Sequence, residues 1–329
     1  MWGATTRDEC VATVRAAVLE HGINHLDMAP GYGPDREAER VVGLAFDGAL
    51  PPDTRVTTKC AMARRPAAEC YDFLRDSLSQ SLAMMKIEAV DLFVLHSHIV
   101  PDDLQAEAAQ VRHPHRCSRF RRLRAGRTQT HTPWTLYREG WIPAVEKLKA
   151  EGLIRAWGIT GIGMPNMVIK ALSTEPKPDA CQCIANCLHS AGSMAWWSHP
   201  KTAPEVTEEQ ATFAEVIAAA NANGVAALGI RAVQAGAITD GLDRESGISM
   251  ESKDFVRAAP VRQIAAELGV STAFLAHQYA LGMGVDTVIL GVKNRGELEE
   301  CAAAANAPPL AEDLVARIDA AIASGGASL

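Results

Sequence analysis

Residues 23–33 read INHLDMAPGYG. Ile23 to Met28 alternates loosely between apolar and polar, and turn residues bound it, Gly22 on one side and Pro30-Gly31 on the other. That is the pattern of a short strand. Asp27 falls at its C-terminal end and Tyr32 in the loop that follows. Two further apolar runs end in the same way: RVTTK closes on Lys59 and DLFVLH closes on His96. A carboxylate, a phenol, an ammonium and an imidazole at the exits of three strands are hard to read as four unrelated surface residues.

Working outward, helical and strand-like segments alternate along the chain. Thr6 followed by Glu9 is a capping box for a first helix with Val11, Val14 and Val18 on one face, closed by Gly22. A helix near 37–46 precedes the Lys59 strand, and Leu74, Leu78, Leu82 and Met85 mark the helix before the His96 strand. Further strands are expected at 154–160, 181–184, 225–230 and 286–290, with helices at 142–150, 261–268 and 271–281 and one containing Phe213, Val216, Ile217 and Ala220 that ends at Gly224. Short apolar runs in βα order suit parallel strands covered on both faces. The length and rhythm predict one domain, residues 1–329, folded as a (β/α)8 TIM barrel. An open doubly wound sheet fits less well, because the glycine-rich turn after the first strand is missing. Seven strands are visible, and Met1-Trp2-Gly3 leads almost directly onto the first helix. The expectation is therefore a first strand that is short or missing, or a reading frame that begins too late.

The region 101–139 breaks the rhythm with a basic run holding seven Arg between Arg112 and Arg127. It reads as a solvated insertion loop, the alternative being a phosphate- or partner-binding arm. A net charge of −7 argues against general nucleic-acid binding. No apolar run reaches the roughly 18 residues a membrane span needs. The start lacks a basic segment with a small-residue cleavage site, so the expected location is the cytoplasm. The chain has eight Cys. Cys181, Cys183 and Cys187 read as small buried hydrophobes rather than metal ligands, and no metal site is expected. Trp196 and Trp197 are the tryptophans expected to line a pocket.

Chemically, the four groups make a proton-transfer device. A phenol with an ordinary pKa of about 10 is a poor acid at neutral pH. Lys59 is expected to lower that value and Asp27 to hold the ammonium charged, with His96 bonding the reacting oxygen. The set resembles that of the aldo-keto reductase superfamily, and the match runs along nearly the whole chain. GINHLDMAPGYG is similar to the signature with the family's catalytic acid and tyrosine, here Asp27 and Tyr32. VTTK is similar to its lysine strand and DLFVLHSH to its histidine strand. GLIRAWGITGIG (152–163) and VILGVKNRGELEE (288–300) resemble the later signatures, the second being the cofactor loop. RAVQAGAIT with VILGVKNR resembles bacterial sugar- and pyridoxal-dehydrogenase-like members.

The resemblance implies an NAD(P)-dependent oxidoreductase. It would interconvert an aldehyde, ketone or sugar hemiacetal with its alcohol or lactone, with Tyr32 as general acid/base. It also implies cofactor contacts: Thr160 and Gln182 at the nicotinamide, Arg231 near the pyrophosphate, and Gly291, Lys293, Asn294, Glu297 and Glu300 around the adenosine. Gly161 and Cys301 stand where the family usually has Asn. Glu297 would repel a 2′-phosphate, so NAD is expected over NADP, although Lys293 and Arg295 pull the other way. The partner is a small carbonyl or sugar molecule; oligomeric state is left open. The alternative is a cofactor-binding regulatory protein on the same barrel with little turnover.

Overall fold

The structure, a computed structural model, describes residues 5–62, 64–104, 131–195, 197, 208–242 and 249–325. The Arg-rich run 112–127, Trp196 and Met1-Trp2-Gly3 lie outside the described residues. In chain order the elements begin α1 (Arg7–Leu19), β1 (His25–Asp27), α2 (Glu37–Phe46), β2 (Arg55–Cys60), α3 (Cys70–Met85) and β3 (Val90–Leu95). Then come β4 (His98–Val100), β5 (His131–Pro133), α4 (Trp134–Leu136), α5 (Ile142–Ala150), β6 (Ile154–Gly161) and α6 (Pro165–Leu172). After these run β7 (Ala180–Ile184), α7 (Phe213–Ala222), β8 (Ala226–Ile230) and α8 (Met250–Arg257). The last are α9 (Ala259–Leu268), α10 (Thr272–Leu281), β9 (Thr287–Val288), α11 (Arg295–Asn306) and α12 (Glu312–Gly325).

Seven strands form one parallel sheet in the order β1-β2-β3-β6-β7-β8-β9. The sheet curls strongly. Asp27 on β1 and Gln182 on β7 are four strand spacings apart, roughly 19 Å in a flat sheet. Their side chains nevertheless hydrogen-bond at 2.7 Å. This is the barrel expected from the βα rhythm, with the outer strands β1 and β9 only three and two residues long. Among the described residues no strand joins β1 to β9.

Alternation sorts each strand between two cores. On β3, Leu92 and Val94 point into the barrel and meet Ala180 and Leu228. Phe93 and Leu95 point outward into the layer under the helices, with Leu74, Leu78, Trp141 and Trp157. Trp141 stacks on Phe93 at 5.7 Å between ring centroids. Cys181 and Cys183 share the outward face of β7 and are buried there, as small hydrophobes. Helices α2 and α3 cross closely at Gly43, where a Cβ would come 2.1 Å from the Met84 carbonyl oxygen.

Three details differ from expectation. Thr6 caps α1 by accepting from the Glu9 N–H at 3.2 Å, but the complete capping box stands at α7, between Thr212 and Glu215. The irregular region ends earlier than 139, since β5 and α4 occupy 131–136 and a π-helical turn leads into α5. The third is a separate two-stranded parallel sheet, β4·β5, with His98 opposite His131. Asp102 closes its base by accepting from the Thr135 N–H and hydroxyl, both at 2.8 Å. No helix among the described residues is long and apolar enough to cross a membrane.

Candidate active site

Parallel register brings the strand exits level: Asp27 pairs with Thr57, and Lys59 two residues on pairs with Val94. Lys59 points into the barrel with none of its surface exposed. Its ammonium donates to Asp27 Oδ2 at 2.5 Å and to the Met28 carbonyl at 2.9 Å. Burial is the largest single influence on Lys59 and opposes its charge. Asp27 and Tyr32 outweigh it, so the ammonium is held above its ordinary pKa. A buried charge needs such pairing, because desolvation otherwise neutralises it. The other oxygen of Asp27, Oδ1, accepts from Gln182 Nε2 at 2.7 Å.

Tyr32 is set by its turn: its N–H donates to the Ala29 carbonyl, and its own carbonyl accepts from the Ala38 N–H, both at 3.0 Å. Lys59 Nζ lies 4.7 Å from the centre of the Tyr32 ring. His96 meets that ring edge-on, with centroids 5.8 Å apart. Tyr32 remains 36% exposed, so the phenol borders both the buried charges and the open mouth of the site. Its pKa moves up rather than down. Burial is the main cause and Asp27 adds to it, against the opposing pull of Lys59 and Arg231. Lys59 pulls the phenol down as expected, but burial first, and Asp27 with it, outweigh that pull, so the net shift is upward. His96 is pushed down to about 3, by burial first and Lys59 second. It is a neutral imidazole at any working pH.

Thr160 and Gln182 pair across β6 and β7, and each is 2% exposed. The Thr160 hydroxyl donates to the Leu95 carbonyl at 2.9 Å. Arg231 follows β8 and sits with its guanidinium near Met194 and Glu251. The remaining candidates gather at the start of α11. Asn294 caps that helix by accepting from the Glu297 N–H at 2.9 Å. Glu297 accepts from the Lys293 N–H at 2.7 Å and pairs with its ammonium at 3.2 Å. Arg295 is paired with Glu20, and Glu300 accepts from the Ser271 hydroxyl. Gly291 lies just beyond β9, with open space where a Cβ would stand. Cys301 is buried beside His277, its Sγ 3.6 Å from Nε2.

Asp27, Tyr32, Lys59 and His96 thus come together with Gln182, while the α11 residues form a second group beyond β9. Trp197 is only 5% exposed and packs edge-on to His98, so it is core rather than pocket lining. Sequence reasoning missed Asn186, Gln234, Glu251 and Asp254, a buried polar set beside Arg231. Carboxylates on a helix are ordinarily solvated, and nothing in the local pattern marks these as turned inward.

The sequence profile described as "Aldo/keto reductase family" matches residues 1–323. The chain belongs to the aldo/keto reductase family. L-galactose dehydrogenase of Arabidopsis thaliana is 29% identical over 172 residues, 49% of this chain and 41% of that protein. 6-Dehydroglucose reductase of Novosphingobium aromaticivorans is 35% identical over 88 residues, 24% of this chain and 29% of that protein. The chain therefore spans less than half the length of these two curated relatives. Among solved structures, an aldo-keto reductase from Bacillus halodurans in its holo form superposes with TM-score 0.64 at 19% identity, covering 97% of this chain and 88% of the other. A glycerol dehydrogenase from Gluconobacter oxydans gives 0.63 at 19% identity, covering 99% and 88%. An aldo-keto reductase from Klebsiella pneumoniae, in complex with NADPH, gives 0.61 at 17% identity, covering 95% and 84%. These likenesses establish the fold of this family member.

Proposed function

We propose that the chain is an NAD(P)-dependent oxidoreductase of the cytoplasm, acting as a single domain on a small carbonyl compound or sugar hemiacetal. One observation carries this reading: a charged, buried Lys59–Asp27 pair stands directly under the Tyr32 phenol, with neutral His96 beside it. In the reductive direction Tyr32 donates its proton to the carbonyl oxygen as hydride reaches the carbonyl carbon, giving the alcohol. The imidazole N–H of His96 donates a hydrogen bond to the same oxygen and fixes its orientation. Lys59 stabilises the phenolate left on Tyr32, and Asp27 and Gln182 hold Lys59 in place. Because part of Tyr32 is exposed, solvent can return the proton. Oxidation of an alcohol, or of a hemiacetal to a lactone, runs the same transfers backwards.

A nicotinamide dinucleotide would supply the hydride. The residues present fit it. Thr160 and Gln182 place a hydroxyl and an amide side by side at the strand exits, and the side-chain amide of Gln182 has one hydrogen bond among the described residues, from its nitrogen to Asp27. Arg231 and the N-terminus of α11 provide positive ends for an anion. Lys293 is engaged by Glu297 and Arg295 by Glu20, so both cations that would favour a 2′-phosphate are already matched by carboxylates. That supports NAD over NADP, with Glu297 at the ribose.

The test is a screen of aldehydes, ketones and sugars with each cofactor, following absorbance of the reduced nicotinamide. Turnover is expected, with a higher kcat/KM for NAD, and Glu297→Arg should move the preference toward NADP. Cofactor binding without turnover on any substrate would favour the regulatory alternative.

A further inference from the structure

Glu39 lies in the first turn of α2, yet none of its surface is exposed. Acidic groups in a first turn ordinarily sit in solvent beside the helix N-terminus, and Glu37 already stands there, paired with Arg7 and Arg40. The Glu39 carboxylate is instead divided between two partners. Oε1 accepts from the Thr58 hydroxyl at 2.6 Å, and Oε2 accepts from Arg36 Nη1 at 3.1 Å. Arg36 reaches on to α3, donating to the hydroxyl oxygens of Ser81 at 2.8 Å and Ser77 at 3.3 Å. Burying a carboxylate is costly unless it is paired in this way.

Each partner adjoins a residue of the site. Thr58 immediately precedes Lys59 on β2, and alternation turns the hydroxyl outward where the ammonium turns inward. Arg36 ends the loop that carries Tyr32. The start of that loop is tied to β2 as well: the Met28 N–H donates to the Thr57 carbonyl at 2.8 Å, and the Met28 carbonyl accepts from Lys59 at 2.9 Å. The phenol therefore hangs between two attachments to the strand that bears the ammonium. Asp35 and Arg36 both have left-handed backbones, with φ 48° and 60°. Residues other than glycine keep that conformation only where their surroundings impose it.

We propose that Glu39 is a positioning residue: by holding Thr58 and Arg36 together it fixes the end of the Tyr32 loop against β2, and so sets how the phenol meets the Lys59 ammonium, which lies 4.7 Å from the ring centre. The Met28 attachments alone would leave the loop hinged at one end. This role for Glu39 rests on Tyr32 being the general acid of the proposed function.

The experiment uses the full chain. Thr58→Val keeps the shape, removes the hydroxyl and leaves Glu39 paired with Arg36. It should lower kcat by roughly tenfold, because displacing a reacting group by about 1 Å can cost on the order of 10²-fold. KM for the substrate and cofactor affinity should stay close to those of the parent. Thr58→Ser returns the hydroxyl and should restore kcat. The placement of the phenol is read without substrate, by NMR of protein carrying isotope-labelled tyrosine. The sequence has four Tyr, and Tyr32→Phe assigns the Tyr32 signal. That signal should shift or broaden in Thr58→Val, with the other tyrosine signals unmoved, and return in Thr58→Ser. Glu39→Gln should act in the same direction, and adding Thr58→Val to it should lower kcat far less than Thr58→Val does alone. An unchanged Tyr32 signal or unchanged kcat in Thr58→Val, a loss that Thr58→Ser does not restore, or a full further loss in the double variant overturns the proposal. Should Glu39→Gln not fold, the two Thr58 variants decide by themselves. A chain whose Tyr32 signal responds as described but that turns nothing over would sink only the oxidoreductase reading.

Discussion

Burial and Asp27 outweigh Lys59 and Arg231 and move the Tyr32 phenol above its ordinary value, so it keeps its proton at neutral pH. A protonated phenol is ready for carbonyl reduction, so the reductive kcat/KM should fall only as pH rises past the phenol's own ionisation. The oxidative direction needs phenolate and should rise over the same range. His96, down at about 3, should add no limb between pH 5 and 8; a reductive profile that breaks near 6.5 would contradict its neutral role. Tyr32→Phe should cut turnover by roughly 10²–10⁴-fold, the usual contribution of a general acid, with cofactor affinity unchanged when measured by fluorescence titration. Lys59→Met should move the alkaline limb upward, because the phenolate loses its main support. These four residues were legible because Asp27, Lys59 and His96 each close a recognisable apolar run and Tyr32 lies in the turn just after the first. Gln182 was legible only through the resemblance, and as a cofactor contact. Its bond to Asp27 was not, because residues 155 positions apart meet only when the sheet curls.

At the scale of elements, hydrophobic periodicity located the strands and most of the helices, since burial is what fixes them. The β4·β5 pair escaped for a physical reason: His98–Val100 and His131–Pro133 are three residues each, too short to show alternation, and they pair across a long separation. This small sheet buries two imidazoles at 5.7 Å between centroids. Burial first, and neighbouring positive charge second, depress His98 to about 3 and His131 to about 4. In the unfolded chain both regain an ordinary value of about 6.5. The unfolded state therefore binds more protons as pH falls below that value, and stability drops until the folded pKa values are reached. At pH 5 the loss is roughly 2 kcal/mol per histidine. The melting temperature should fall from pH 7.5 to 5, and His131→Asn should flatten that dependence. An equally steep dependence in the variant would exclude the β4·β5 pair as its source.

Across the whole molecule, the Asp27–Gln182 bond ties β1 to β7 through the barrel interior. Gln182→Leu should fold, lose about 1–2 kcal/mol by leaving a buried carboxylate oxygen short of a donor, and lower kcat through a less constrained Lys59. A variant with wild-type kcat and wild-type denaturant midpoint would show that Lys59 is held by Asp27 and Met28 alone.

The parallel sense of β4·β5 also has a consequence for protein engineering. A hairpin can be closed with two residues, whereas the chain leaving β4 must travel back along the strand before it can begin β5. Arg64, donating to the Leu104 carbonyl at 3.0 Å, and Asp102 with Thr135 hold the exit and return points. The parallel pairing thus sets a minimum length for the segment that joins β4 to β5. Replacing 105–130 with about eight Gly/Ser residues, ample to retrace a three-residue strand at ~3.3 Å per residue, should leave the melting temperature close to that of the parent. A shortened chain that melts far lower would mean that the excised residues contribute to the core rather than being carried by it.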